Sequence, residues 1–481
     1  MLKRQDFFGT VDFAPAGATK RMSKFFAKSA DAVFPQLATV TDPHAMKEVF
    51  QREFPGFVEG RLELHKVGLM QIRYEPGKKC HINYRLQIKD LTTGKMQRPI
   101  CFATVEANGE AAAKFAAAAR DVEFQPKLLP AVHFLRELDT IIWAYPNDPK
   151  LRQLPRLTCK KSLEKILDKH WDSLRLAAET KLERLTTRRI KYVPRDRCTL
   201  CHRLFFGDGK SLVIYSKTLN RKTDGELIFK TIQTLWNSPV SRSGEFLIPE
   251  PLFFARDLNA IFVRGLKGMN ADDHLGELDL DQVAVQIGAG LAGIHQCRLA
   301  GTPPATDDHV MAQALEAEAI LGKFDATYLP RVEALTTMLR EKYPQLPLLP
   351  PAPIHSAFRL SQFLVVGDKL ALIDFDDFVL GNPIADVASF VAHLLYLPLK
   401  GDLTVARSRS AIRHFCATYA ATAPWGLPKE VLIWQTAAQL LGKQAKKCIR
   451  LAKANHAEKV DQLLNLAIAI LDGKEKLFDI P

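Results

Sequence analysis

The densest chemistry in the sequence lies where His355-Ser-Ala-Phe-Arg-Leu-Ser-Gln362 runs into Phe363-Leu-Val-Val-Gly-Asp-Lys-Leu-Ala-Leu-Ile-Asp-Phe-Asp376. Gly367-Asp368 is a tight-turn signal between two apolar runs, so Leu370 to Ile373 is expected as a short buried strand with Asp374 at its end. A carboxylate there suits a hard cation, which prefers oxygen ligands, and Asp374 is the leading candidate for magnesium. Phosphoryl transfer asks for such a group. It needs a divalent ion bridging the phosphates, a lysine on them and a base near the acceptor hydroxyl rather than covalent help. Asp376 and Asp377 are weaker candidates, expected at the solvated surface. Downstream, Asn382 before Pro383 predicts a helix start. Val387, Phe390, Val391, Leu394 and Leu395 then follow helical spacing and mark its core face. Asp386 is expected to brace the metal-binding loop rather than touch ligand.

The elements that must position these groups show an internal repeat. Ile72-Arg-Tyr-Glu-Pro-Gly-Lys-Lys-Cys-His-Ile-Asn-Tyr-Arg-Leu86 aligns without gaps on Ile190-Lys-Tyr-Val-Pro-Arg-Asp-Arg-Cys-Thr-Leu-Cys-His-Arg-Leu204, with six of fifteen positions identical. Each copy reads as two strands around a tight turn. A further apolar strand follows in each (Ile100 to Val105; Leu212 to Leu219), then Gly-Glu opening a helix (Gly109-Glu110; Gly225-Glu226), then a Pro-led strand pair (Pro130 to Tyr145; Pro251 to Val263). Between the copies, Leu157 to Leu185 is a helix-like linker rich in Lys, Leu and Glu. The spacing Cys198-Thr-Leu-Cys-His202 fits covalent haem attachment. Its counterpart Cys80-His-Ile-Asn-Tyr84 keeps only the first cysteine, so strand packing is the expected role.

Together, the His355 to Asp376 segment and Gly381-Asn-Pro-Ile-Ala-Asp-Val-Ala388 resemble the aminoglycoside phosphotransferase family, whose signature runs H-x-D-x-x-x-x-N, a hairpin, I-D-F/W-D/G and G-x-P-x-x-D-x-A. Tyr-x-Pro-Gly-basic-basic, Asp42-Pro43 with Met46, and Leu291-Ala-Gly-Ile-His295 are also similar to that family and its maltokinase-like relatives. The resemblance implies an α+β, protein-kinase-like two-lobed fold, with an antiparallel-sheet small lobe and a mainly helical large lobe. An N-terminal domain resembling a second small lobe precedes it. The expected divisions are a cap at 1–155, a helical linker at 156–185, a small lobe at 186–268 and a large lobe at 269–481. By the same resemblance Lys217 is the phosphate-contacting lysine, Glu226 opens the helix that supplies its ion-pair partner, and Arg195 and Arg197 line the nucleotide-covering turn. Asp374 and Gln362 are the metal ligands, Gln362 standing where the family has asparagine. His355 supports the loop. Ala357 stands where the family has its catalytic aspartate, and a methyl group cannot accept a proton. In the first copy Thr104 takes the place of Lys217.

ATP and magnesium are therefore the expected cofactors, with a nucleotide and a small hydroxylated metabolite as ligands. Two readings stay open: a pseudokinase-like nucleotide binder, motivated by Ala357, and an active small-molecule kinase, since general-base help is typically worth about 10² to 10⁴-fold. A scaffold in which neither site matters is the third. The net charge of +13 favours an anionic ligand without choosing one. From Leu151 to Leu200, fourteen Lys or Arg against six Asp or Glu read as a solvated face. The stretch from Val431 to Leu471 is helical in pattern. Its Lys443, Lys446, Lys447, Arg450 and Lys453 are expected on a solvated face or a protein-partner surface rather than a nucleic-acid site, because aromatic interleaving is missing. The longest apolar run, Val387 to Leu399, is too short to span a bilayer. Lys3, Arg4, Asp6 and Asp12 do not make a secretory leader, and the eight scattered cysteines read as reduced thiols. A cytoplasmic location is expected.

Overall fold

The computed structural model describes residues 25–26 and 31–475, except 121, 123, 178, 179, 300 and 306–308. Lys3, Arg4, Asp6 and Asp12 lie outside the described residues. The chain divides into two compact units. The first is drawn from Met1–Pro155, Lys323–Asp325 and Lys447–His456, and the second from Arg156–Gly322, Ala326–Lys446 and Ala457–Pro481.

In the first unit, β1 (Leu62–Glu75), β2 (Lys79–Asp90), β3 (Met96–Gln97), β4 (Ile100–Val105), β5 (Val132–Leu135) and β6 (Thr140–Ala144) form an antiparallel sheet. Its order is β1-β2-β4-β6-β5, with β3 on β2. Alternation along β2 sends Cys80, Ile82, Tyr84, Leu86 and Ile88 to one fully buried face, as a strand with one core face requires. A helix, Glu110–Arg120, follows β4.

The second unit opens with β7 (Leu182–Val193), β8 (Arg197–Phe206), β9 (Ser211–Leu219), β10 (Pro251–Ala255) and β11 (Ala260–Arg264), with the helix Gly225–Trp236 after β9. The sheet order, β10-β11-β9-β8-β7, is that of the first unit strand for strand. The registers agree too: Cys80 pairs with Val105 and His81 with Thr104, as Cys198 pairs with Thr218 and Thr199 with Lys217. Cys198 and His202 face the core of β8, and His202 bonds to Thr187 and Ser216. Burial pushes the His202 pKa down to about 3, so the imidazole is neutral and its role is packing.

Two small sheets complete this unit: β12 (Met269–Asn270) with β14 (Phe363–Val366) and β15 (Lys369–Leu372), and β13 (Ala352–Ile354) with β16 (Val379–Gly381). Leu247, just ahead of β10, ties the connection there to β15: its amide donates to Leu370 O at 2.8 Å and its carbonyl accepts from Leu372 N at 3.0 Å. The helix Ile384–Lys400 is largely apolar and buried on nearly every side, with Asp386, Ser389 and His393 as its buried polar residues. Leu280–His295 packs on Val405–Thr422 so closely that a Cβ on Gly288 would stand 2.7 Å from Phe415 O.

Two sequence expectations need correction. The linker is helical at Leu154–Thr158 and Lys160–Lys169, with a 3-10 turn at Trp171–Leu174, but Leu182 to Leu185 are already strand, because pairing with β8 satisfies their backbone groups. Val431 to Leu471 is not one helix. It is interrupted by a π-helical segment, Leu440–Ala445, and by a turn in which Ala452 and Asn455 take left-handed φ of 46° and 53° before the helix His456–Leu471. The helix start at Asn382 is as expected: Pro383 already takes helical dihedrals and Ile384 N donates to Asn382 Oδ1 at 3.0 Å.

Candidate functional site

Asp374 lies two residues past the end of β15. Its neighbour Ile373 donates its amide to the carbonyl of Gln362 at 2.8 Å, which joins the two loop ends. Asp374 itself adopts φ 72°, a left-handed conformation that non-glycine residues hold only when their surroundings impose it. From mid-β9, in register with Thr199 and Ile261, Lys217 brings its Nζ 2.5 Å from Asp374 Oδ1 and 2.6 Å from Asp376 Oδ1. Arg197, at the start of β8, places Nη1 3.0 Å from Asp196 and Nε 3.6 Å from Asp376 Oδ2. Burial alone would push the Asp374 carboxyl up, but Lys217 and Arg197 overcome it and hold the group well below the usual carboxylate range. Asp376 goes the other way: burial, reinforced by the charge of Asp374, raises it against the pull of Lys217. The two carboxylates thus share one ammonium, with Asp374 the better ionised.

The loop carrying Ala357 is held from the opposite side. His355 N and Ser356 N donate to the two oxygens of Asp386 at 2.5 and 2.8 Å, and His295 Nε2 lies 3.4 Å from the same carboxylate. Burial would raise Asp386, but its hydrogen bond and charge interaction with His295, and the nearby His355, hold it low. Ser356 takes φ 62°, and its carbonyl accepts a hydrogen bond from Lys443 Nζ. Lys443 also reaches Ser389 Oγ at 3.4 Å. Around this loop both ring nitrogens of His355, Ser356 Oγ, Arg359 Nε and Asp376 Oδ2 are buried without a hydrogen bond. Buried polar atoms are nearly always satisfied, so this cluster stands out as a polar spot in the interior.

Of the residues singled out from the sequence, the structure brings Lys217, Arg197 and Asp374 to one point. Gln362, 3% exposed, is linked to that point through Ile373. Arg195 sits in the β7–β8 turn with φ 64°, and Ala357 and His355 lie on the braced loop. Glu226 is not the partner of Lys217. It pairs with Arg256 at 2.6 Å and Lys230 at 3.4 Å, because Asp374 and Asp376 already take the lysine. Asp376 is not solvated: its side chain is 7% exposed and shares Lys217. Asp386 braces the His355–Ser356 turn and not the Asp374 loop. Lys443 and Lys446, expected on a solvated face, are turned inward, the second paired with Glu316 at 2.8 Å. The segment Val431 to Ala445 mixes apolar residues with Gln435, Thr436, Gln439 and Gln444, all four buried, so no periodic solvated face marked Lys443 as outward or inward.

Among the described residues no group of three or more His, Cys, Asp or Glu could hold a metal ion, and no helix is long and apolar enough to cross a membrane. Residues 242–425 match the family described as the phosphotransferase enzyme family. No curated protein matches the chain. Similar solved structures include the aminoglycoside phosphotransferase APH(4)-Ia, at 16% identity and TM-score 0.45, covering 66% of this chain and 100% of that one. A choline/ethanolamine kinase family protein from Mesorhizobium loti is 13% identical, with TM-score 0.43 and coverage of 64% and 95%. The streptomycin–ATP ternary complex of APH(2")-IIa is 14% identical, with TM-score 0.41 and coverage of 65% and 98%.

Proposed function

From the match of residues 242–425 to the phosphotransferase enzyme family, we propose that this chain binds ATP with magnesium and transfers a phosphoryl group to a hydroxyl of a small metabolite, such as a sugar. The observation that carries the reading is the convergence of Lys217, Asp374 and Asp376, in which a strand lysine and two carboxylates from another loop meet within 2.6 Å.

The donor set suits magnesium. Asp374 and Asp376 each aim one oxygen at the same cationic nitrogen, and the second oxygen of Asp376 is buried without a hydrogen bond. Magnesium is ordinarily bound by one or two carboxylates plus substrate phosphates, so a larger acidic cluster is not required. Asp374 and Asp376 would hold it, with Gln362 beside them. Bound there, the ion would supply positive charge to the phosphates. Lys217, exchanged off the carboxylates, would contact the phosphates, with Arg197 adding a second positive charge.

A second reading, nucleotide binding without efficient turnover, is favoured by Ala357. Titration calorimetry with ATP tests the shared part. Wild type is expected to bind in a magnesium-dependent way and Asp374→Ala to lose that dependence; no binding at millimolar nucleotide would overturn both readings. Transfer of labelled phosphate from ATP to a metabolite library separates them, and turnover that disappears in Asp374→Ala rejects the binding-only reading.

A further inference from the structure

Replacement of the family's aspartate by Ala357 removes the carboxylate expected beside the acceptor hydroxyl, yet the same loop receives an amine from elsewhere in the chain. Lys443 lies in the π-helical segment Leu440–Ala445, and such segments recur at functional sites because the extra residue turns side chains out of their helical register. Here the segment is pressed against its neighbour. A Cβ on Gly442 would stand 3.1 Å from the backbone of Gln313 and of Ala314. The Lys443 side chain runs inward and its Nζ donates to Ser356 O, the carbonyl of the peptide unit joining Ser356 to Ala357, and to Ser389 Oγ at 3.4 Å.

Resting on the transferase reading above, we propose that Lys443 is the proton acceptor of the transfer step, an amine that takes over from the missing carboxylate at Ala357. A neutral amine has two N–H bonds and one lone pair. Ser356 O and Ser389 Oγ engage the two donors, which leaves the lone pair for the acceptor hydroxyl. In the step, the acceptor oxygen forms a bond to the terminal phosphorus. The bridging P–O bond breaks with its electron pair leaving on ADP, and the hydroxyl proton passes to Lys443, which becomes an ammonium.

The surroundings tune the group for that work. Burial pushes the amine down, to about 8. From the helix Ile384–Lys400 Asp386 favours the charged form, as does Asp377 after β15. Arg359 on the loop and Lys446 on the following turn oppose it, the latter itself paired with Glu316. A base with a pKa near the working pH is the effective kind.

The test is ATP consumption by the full chain across pH, with magnesium and with water or hydroxylated metabolites as acceptor, alongside calorimetry of nucleotide binding. The wild-type rate should rise as pH rises through about 8 and then level. Lys443→Met should lose roughly 10² to 10⁴-fold of that rate with nucleotide affinity unchanged. Lys443→Arg keeps donors for Ser356 and Ser389 but stays charged, so it should lose as much. Adding Ala357→Asp to Lys443→Met should restore part of the rate and move the break to lower pH. Wild-type rates in Lys443→Arg, or an unchanged profile in Lys443→Met, would overturn the assignment. A wild type that binds nucleotide and consumes none at any pH would overturn it as well, leaving nucleotide binding standing; loss of nucleotide binding itself would remove the reading beneath it.

Discussion

At the scale of single residues, the site is organised by which carboxylate is allowed to ionise. Asp374 is held low by Lys217 and Arg197, while Asp376 is raised, so the pair presents one strong and one reluctant anion to a shared cation. Asp386 does a different job a few residues on. It has no solvent exposure and satisfies two backbone amides and His295 at once. Asp386→Ala would leave those donors buried without acceptors, at about 1–3 kcal/mol each, and urea denaturation should show a loss of about 3 kcal/mol. The loss should depend on pH. Because the folded pKa lies below the ordinary 3.8, the stabilisation is complete above that value and disappears as pH falls through the folded value, so the two proteins should converge in acid. Sequence pattern located Asp374, because turn and apolar run predict a strand end. It misjudged Asp376, two positions further, since burial there is created by Lys217 and Arg197 arriving from another sheet.

At the scale of elements, β-strand alternation carried the most information. The hairpins, third strands and closing strand pairs are where period and turn residues put them, and β4 runs from Ile100 to Val105 as expected. Helix readings failed where packing decides. The stretch after Val431 has helical periodicity throughout, yet it contains a π-helical segment that reorients Lys443 and a left-handed turn that ends Lys446–Arg450. Glycine positions report such close approaches. Gly288→Ala would drive a Cβ into Phe415 O on the facing helix, and separating Leu280–His295 from Val405–Thr422 should lower stability by about 1–3 kcal/mol, measured by thermal denaturation. Gly367, with φ 64° and open space around it, is needed instead for its backbone conformation.

At the scale of the whole molecule, a ligand that binds only the folded chain stabilises it by mass action. ATP with magnesium at a hundredfold excess over its dissociation constant should add about 2.7 kcal/mol to unfolding stability, and Asp374→Ala should remove the part of the gain that depends on magnesium. Differential scanning calorimetry would read both. Strand order and register recur between the two units, down to Thr104 standing where Lys217 stands. By itself the sequence determined the strand and turn order of both sheets, the placement of Asp374 at a strand end and the substitution at Ala357, because these follow from local periodicity and residue type. Only the tertiary structure decided that Lys217 pairs with Asp374 and Asp376 rather than with a helix glutamate, and that Lys443 meets the Ala357 loop. Those contacts join residues 157, 159 and 87 positions apart, and no local pattern encodes which distant charge will be desolvated beside which.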